Sequence, residues 1–386
     1  MPTQEFGQSD LEFVRQVLDS GKLSSLSGGE FTPRFEAAFA AAHRASHGVA
    51  MNSAMSVLHA SVIAAGAGTG DEVICDPICV FGAVAVMYNN AVPVFLDVDP
   101  VTWNMNPDLI EARIGERTKA IIVTHVCGLA AEMDRIMEVA RRHGLRVIED
   151  CAHAMLCEYK GRYVGTWGDI GSFSFQASKQ MNLGDGGMAL TNDWELAREL
   201  ALHGGAPTFQ SIAHGLHHNY RMTEPVAAIG LAQVERLPGY VAGLRRAGQR
   251  YDEAVRDCAW IVLQRGPQGA DHTFHLWGAT FHGERAGMKR EDFVRVLQEE
   301  GCSASLGYTN MPAYKHPLIA QRMGYGRGCP LDCPLLYAGT QNQYPDGLCP
   351  VAEEVVPNMI LAYTFRPDDE IAADAERLHR ALQRLS

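Results

Sequence analysis

The chain has 386 residues, 47% hydrophobic and 20% charged, which excludes disorder and fibrous architecture and allows one large domain with an appendage or two to three modest ones. Thirty-three basic residues against 45 acidic ones give a net charge of −12, which argues against a nucleic-acid partner. No stretch approaches the roughly eighteen apolar residues of a membrane span, and Met1–Ser9 lacks a basic segment followed by an apolar run, so the expectation is a cytoplasmic protein without membrane or secretory segments.

In chain order, Thr32-Pro33 reads as an N-cap followed by proline, opening a helix to Ala42. A strand at 48–51 precedes a helix at 54–65. Strands at 72–75 and 92–96 flank a helix at 81–88. Asn106-Pro107 repeats the cap-plus-proline signal and predicts a helix to Ile114. The β-branched run 119–124 reads as a buried strand, followed by a helix at 133–142 with Gly144 as its stop. The strand 145–148 then ends in Glu149 and Asp150.

This alternation predicts an α/β protein built on a largely parallel sheet with helices on both faces. Ligands gather at the carboxyl ends of such strands, where Asp150 and the residues after Thr124 and Cys75 stand. Later the chain changes character, with long helices at 223–236 and 240–256, strands near Ile261 and at 274–281, and a helix at 290–300 stopped by Gly301. The expected division is a large domain over 1–235 and a smaller α/β domain over 236–386.

Ten cysteines include two CxxxC pairs, Cys75/Cys79 and Cys329/Cys333, without the partners of a zinc site. They read as reduced thiols, several buried. Fifteen histidines include no HExxH, so no metal is expected.

The chemistry concentrates in Asp169-Ile-Gly-Ser-Phe-Ser-Phe-Gln-Ala-Ser-Lys179 and the turn Gly184-Asp-Gly-Gly187 that follows. Lys179 is either a solvated loop lysine or an amine made nucleophilic by burial or a neighbouring charge. Upstream, Asp150 at a strand end suits pairing with a protonated ring nitrogen, which pyridoxal phosphate needs to act as an electron sink. It equally suits a helix N-cap. His153 fits either a ligand or a structural histidine.

Together with Ser27-Gly-Gly, Gly70-Asp-Glu-Val-Ile, Pro93-Val-Phe-Leu-Asp97, Thr118-Lys-Ala-Ile-Ile, Ile148-Glu-Asp-Cys-Ala-His-Ala and Asn219-Tyr-Arg-Met-Thr-Glu, these segments resemble the DegT/DnrJ/EryC1/StrS sugar and cyclitol aminotransferases. That family lies within fold type I of the pyridoxal-phosphate enzymes. The resemblance runs from Gly21 to the C-terminus and is weakest over the last hundred or so residues. It implies pyridoxal 5′-phosphate held covalently on Lys179, with Asp150 on the pyridinium nitrogen and His153 near the ring. It implies Phe81 stacked on that ring, Ser174 on the phosphate, and Asn219 reaching the phosphate of a neighbouring subunit in a homodimer with shared sites.

One motif departs: the family's Ser-Gly-Thr is here Ser53-Ala54-Met55. Ala54 and Met55 remain phosphate-ligand candidates through helix-terminal amides, with Ser53 or Ser56 replacing the lost hydroxyl. Lysine at 179, where some relatives carry histidine and remove a hydroxyl, favours transamination. The Cys151-Ala-His-Ala run and Gly307-Tyr308 to Pro317 look most like cyclitol aminotransferases and aminohydroxybenzoate synthases, which act on ring ketones in antibiotic pathways. Tyr308 and Lys315 then line the substrate cleft, or are exposed loop residues. The expected activity is amino transfer from L-glutamine or L-glutamate to a keto-sugar or keto-cyclitol. The rivals are an aromatising lyase or dehydratase on the same scaffold and a non-catalytic cofactor-binding subunit.

Overall fold

The computed structural model describes residues 6–204, 216–326, 328–332 and 343–385. Helices α1 (Gln8–Ser20) and α2 (Phe31–Ala42) lead into β1 (His47–Met51). Next come α3 (Ala54–Ala64), β2 (Glu72–Cys75), α4 (Val80–Tyr88), β3 (Val92–Phe95), β4 (Thr118–Thr124), α5 (Met133–His143) and β5 (Arg146–Asp150). A small hairpin of β6 (Glu158–Tyr159) and β7 (Arg162–Tyr163) precedes β8 (Ile170–Ser174), β9 (Gly187–Thr191) and α6 (Trp194–Gly204).

Seven of these strands make one sheet in the order β1-β9-β8-β5-β4-β2-β3. β3, β2, β4, β5 and β8 pair in parallel, and β9 alone runs against its neighbours. Residues Ala120 to Thr124 of β4 are buried on both faces, as a helix-covered parallel sheet requires. α5 shows why its residues form a helix there. Met133, Ile136, Val139 and Ala140 share the buried face, Asp134 lies in the first turn, and Arg141 and Arg142 lie in the last. Gly144 ends it with φ +64°, a conformation that glycine adopts without strain.

A second, antiparallel sheet has the order β10-β11-β13-β12, from β10 (Ile261–Leu263), β11 (Leu276–Phe281), β12 (Ser305–Leu306) and β13 (Met359–Tyr363). The helix Leu237–Ala254 begins in the core under the first sheet, through Leu237 and Val241, and ends in that under the second, through Ala247 and Tyr251. A third core joins Ile78, Phe95 and Trp103 to Leu276, Tyr314 and Val355. The backbones also meet directly. Residues 128–130 pair with 271–273 through the Leu129–His272 bridge, Thr273 N–H to Gly128 O (2.9 Å) and Ala130 N–H to Asp271 O (3.0 Å).

Two expected helix starts are corrected. α2 begins at Phe31, so Thr32 lies inside it rather than capping it. The cap comes from Glu224, whose carboxylate accepts the N–H of Phe31 (2.7 Å) and Thr32 (3.2 Å) and the Thr32 hydroxyl (2.5 Å). Asn106 does accept the Asp108 N–H (3.0 Å), but only two 3₁₀ turns follow, Pro107–Leu109 and Glu111–Arg113. Ile110 is buried while Leu109 is 39% exposed, so no continuous apolar face rewards a longer helix. Cys75, Cys127, Cys151, Cys157 and Cys349 are buried thiols, and Cys333 lies outside the described residues. No described helix is long and apolar enough to cross a membrane.

Candidate active site

The carboxyl edge of the large sheet gathers the residues singled out above. In register, Thr124 of β4 lies opposite Asp150 of β5, and Asp150 opposite Ser172 of β8. Ser174 lies opposite Gly187 of β9, and Gly187 opposite Met51 of β1. Asp150 is 3% exposed, and its carboxylate accepts the Ala152 N–H (3.1 Å). Burial raises its pKa, opposed by that amide and by the charge of Lys179.

Lys179 sits in the loop between the antiparallel strands β8 and β9, in a turn closed by its N–H to Gln176 O (2.8 Å). The glycines are thus part of a hairpin connection, and Lys179 is half-buried where residues 176–178 before it are exposed. Burial lowers the pKa of its ammonium, opposed by Asp150, Cys79 and Cys127. Lysine and aspartate therefore act on each other within one buried edge.

His153 lies near the same charge. Its Nδ1 is buried without a hydrogen-bond partner, and burial together with Lys179 holds it well below the ordinary imidazole range. Phe81 stands in the first turn of α4 with its ring 54% exposed. The turn before it is fixed by Asp76, which accepts the N–H of Ile78 (2.9 Å) and Cys79 (2.8 Å) and the Thr124 hydroxyl (2.5 Å).

An anion cradle forms where β9 meets α3. A Cβ on Gly187 would lie 2.6 Å from the Ser53 carbonyl carbon and 2.7 Å from the Ala54 nitrogen, so only glycine lets the strand approach this helix start. The first-turn amides of Ala54 and Met55 have no acceptor within the helix. The hydroxyls expected to replace the lost threonine are committed to the cap. Ser53 Oγ accepts the Ser56 N–H (3.1 Å), and Ser56 Oγ donates to Asn52 Oδ1 (2.6 Å). What this turn offers a phosphate is therefore backbone.

Asn219 is exposed, beside a segment tied to the same turn by Asn52 N–H to Tyr220 O (2.7 Å) and a Met51–Arg221 bridge. Tyr308 faces the cleft. Burial raises its hydroxyl pKa, with Cys79, Cys127 and Asp150 adding to the effect. Lys315 is engaged elsewhere, its ammonium held by Asp346 (2.9 Å) and Glu353 (3.0 Å), so the reading of a substrate contact gains no geometric support.

Several residues escaped the sequence reading. Cys79 and Cys127 flank Lys179 electrostatically, Asp76 fixes the turn before Phe81, and His275 stacks on His153. Asp76, Cys79 and Cys127 shared one signal, their place just after a strand end; His275 is brought in by topology. The group His125, Glu149 and Cys151 has metal-ligand spacing. His125 Nδ1 accepts the Ala131 N–H (3.1 Å), so Nε2 carries the hydrogen and donates to Glu149 (3.1 Å). Both nitrogens are used, so His125 and Glu149 form a closed hydrogen-bonded pair.

The edge fits pyridoxal phosphate as a chemical set. It offers a half-buried amine, a buried carboxylate within its electrostatic reach, a backbone anion cradle, and buried atoms without partners at Ser172 Oγ, His153 Nδ1 and His275 Nδ1.

The sequence profile of the DegT/DnrJ/EryC1/StrS aminotransferase family matches residues 4–332. The chain is 40% identical over 317 residues to the GDP-perosamine synthase of Caulobacter vibrioides, covering 80% of this chain and 82% of that one. It is 34% identical over 337 residues to the spore coat polysaccharide biosynthesis protein SpsC of Bacillus subtilis, covering 83% and 85%. The solved aminotransferase from Psychrobacter cryohalolentis superposes with a TM-score of 0.85 at 27% identity, covering 100% and 99% of the two chains.

Proposed function

The chain belongs to the DegT/DnrJ/EryC1/StrS aminotransferase family, whose cofactor is pyridoxal 5′-phosphate, and from that premise we propose that it moves an amino group from L-glutamine or L-glutamate to a keto-sugar. The relatives named for perosamine and coat polysaccharide support a sugar over a cyclitol. The observation that carries the reading is the half-buried Lys179 within electrostatic reach of the buried Asp150, next to a backbone anion cradle.

When bound, the cofactor supplies the electron sink for the carbanion formed at the amino carbon. The protein's own residues do the rest. Burial lowers the Lys179 pKa and so favours the neutral amine, the form that captures a carbonyl and accepts or returns a migrating proton. Asp150 would hold a proton on the cofactor's ring nitrogen, and that cation would favour the ionised carboxylate against the effect of burial. His153 approaches the ring as a neutral imidazole. Ala54, Met55 and Ser174 would hold the phosphate, Phe81 would cover the ring, and Tyr308 would border the space that receives the sugar.

Mixing holoprotein with each amino acid alone tests the donor. L-glutamine or L-glutamate should bleach the visible cofactor band without any acceptor, and the aminated cofactor should then be reoxidised by a nucleotide-linked keto-sugar. Bleaching by neither amino acid sinks the reading.

The active form is read as a homodimer in which Asn219 serves the partner's phosphate, supported by the exposure of Asn219 and by the family resemblance of its segment. Lys179→Ala and Asn219→Asp should each inactivate the enzyme, the second by setting a carboxylate against the phosphate. Co-expression should restore activity through hybrid dimers with one intact site. Hybrid dimers without activity would refute the shared site.

A further inference from the structure

We propose that His275 is a positioning residue of the active site, its ring supporting that of His153 while Thr273 and Gln180 lock the segment before β11 to the loop that carries Lys179. The inference rests on the assignment of Lys179 as the cofactor lysine.

The rings of His153 and His275 are 4.2 Å apart and 21° from parallel. His275 is 4% exposed, and the Nδ1 atoms of both rings are buried without a hydrogen-bond partner. Two unsatisfied imidazole nitrogens side by side are costly unless the stack serves something beside it. Lys179 is that neighbour, since burial, together with its charge, lowers the pKa of both rings. At neutral pH the pair is therefore uncharged and adds no positive charge against the lysine. The edge of the Phe365 ring closes the outer side of His275 (5.2 Å, 67°).

The backbone around the pair is built to hold it. Gln180, adjacent to Lys179 and fully buried, accepts the Met155 N–H through Oε1 (2.7 Å) and donates through Nε2 to Thr273 Oγ1 (3.0 Å). That hydroxyl lies 3.2 Å from the His153 carbonyl and 3.3 Å from the Gly128 carbonyl. Gly128, at φ +92°, leaves room for the crossing; a Cβ there would lie 2.5 Å from Thr273 Oγ1, 2.7 Å from His153 O and 3.2 Å from His275 N. Phe274 is held at φ +50°, left-handed backbone that aromatic residues rarely adopt, with its ring stacked flat on His272 at 3.9 Å. Such local strain persists only where the surroundings over-determine it. Here the result is a one-residue reversal that delivers His275 to His153.

The test uses two readouts besides turnover: ¹⁵N resonances of histidine side chains in cofactor-free protein, and the pH titration of the visible band in holoprotein. His275→Ala should move the His153 resonance, shift the band's titration midpoint, and lower kcat roughly tenfold or more with little change in donor KM. His275→Phe keeps a flat ring and should hold all three near wild type. Should the alanine variant fail to fold, Thr273→Val keeps the shape, removes the hydroxyl brace and should still move the His153 resonance. An unmoved His153 resonance in both the His275→Ala and Thr273→Val variants overturns the proposal. So does equal loss of kcat in the alanine and phenylalanine variants, which would assign the role to the nitrogen rather than the ring support. Borohydride fixing the cofactor to a lysine other than Lys179 would instead refute the underlying assignment, while leaving the cofactor-free readout intact.

Discussion

Glu149 and Asp150 are consecutive residues of β5, buried at 0% and 3%, and the strand's alternation sends them to opposite faces of the sheet. On one face Glu149 is surrounded by fixed donors: His125 Nε2 (3.1 Å), Gly165 N–H (2.8 Å) and Gly168 N–H (2.6 Å). On the other, Asp150 has the Ala152 amide and the charge of a half-buried lysine. Burial is the same, and so is the chemical group. What separates a structural carboxylate from a working one is whether its hydrogen-bonding capacity is spent inside the fold or kept for a ligand.

The comparison can be broken most sharply at the lysine. Lys179→Ala should lower turnover by more than about 10⁴-fold, since it removes both the nucleophile and the proton carrier, while the melting temperature stays close to wild type. Borohydride should then fix no cofactor to the chain, as peptide mass mapping would reveal. Asp150→Ala comes next, with turnover falling about 10²–10³-fold against a much smaller change in cofactor affinity. Near wild-type turnover would remove Asp150 from its role.

Glu149→Gln should show the reverse pattern. An amide NH₂ set against backbone donors leaves buried groups unsatisfied, costing about 3 kcal/mol of stability by denaturant titration, with kcat of the folded fraction largely retained. Equal effects of the Asp150 and Glu149 substitutions on both readouts would erase the distinction.

The smallest effect is a pH limb set by buried groups away from β5. His59 and His203 are neutral in the fold, their pKa values lowered from 6.5 to about 4 by burial, with His218 adding to both and His217 to His203. Tyr220 contacts His59 (2.8 Å), His203 lies 3.9 Å from Glu199, and Nε2 of both histidines is buried without a hydrogen bond. A folded pKa below the unfolded one contributes stability that is complete above pH 6.5 and lost as pH falls towards 4. Glu36 runs the other way. Burial raises it from 4.5 to about 7, so its contribution is complete below pH 4.5 and lost as pH rises through 7. The melting temperature should fall on the acid side, and Glu36→Gln should flatten the neutral side.

Much of the first sheet was legible because buried parallel strands and amphipathic helices write their period directly into the chain. β2 at Glu72–Cys75 and α5 at Met133–His143 are cases where pattern and structure coincide within a residue. The Asn106 cap was legible as a cap but not as a short one, because whether a helix propagates depends on which face finds a core. Thr32 misled for a related reason: Glu224, 192 residues downstream in sequence, supplies the cap. At the site, Lys179 and Asp150 stood out through motif and strand-end position. His275 did not, since its contact with His153 is made by the crossing of residues 128–130 with 271–273, which no local pattern encodes.

Gly187 carries a consequence of a different kind. Any side chain there must push β9 away from the backbone of Ser53 and Ala54, atoms that no rotamer change can move aside. The damage would fall on phosphate affinity before it reached the reacting groups, and a weakened binding equilibrium is recovered by raising the free ligand. A Gly187→Ala allele should therefore behave as a nutritional conditional: defective in cells at ordinary vitamin B6 supply and restored when pyridoxine is added to the medium, whereas no supplement would rescue a lesion at Lys179.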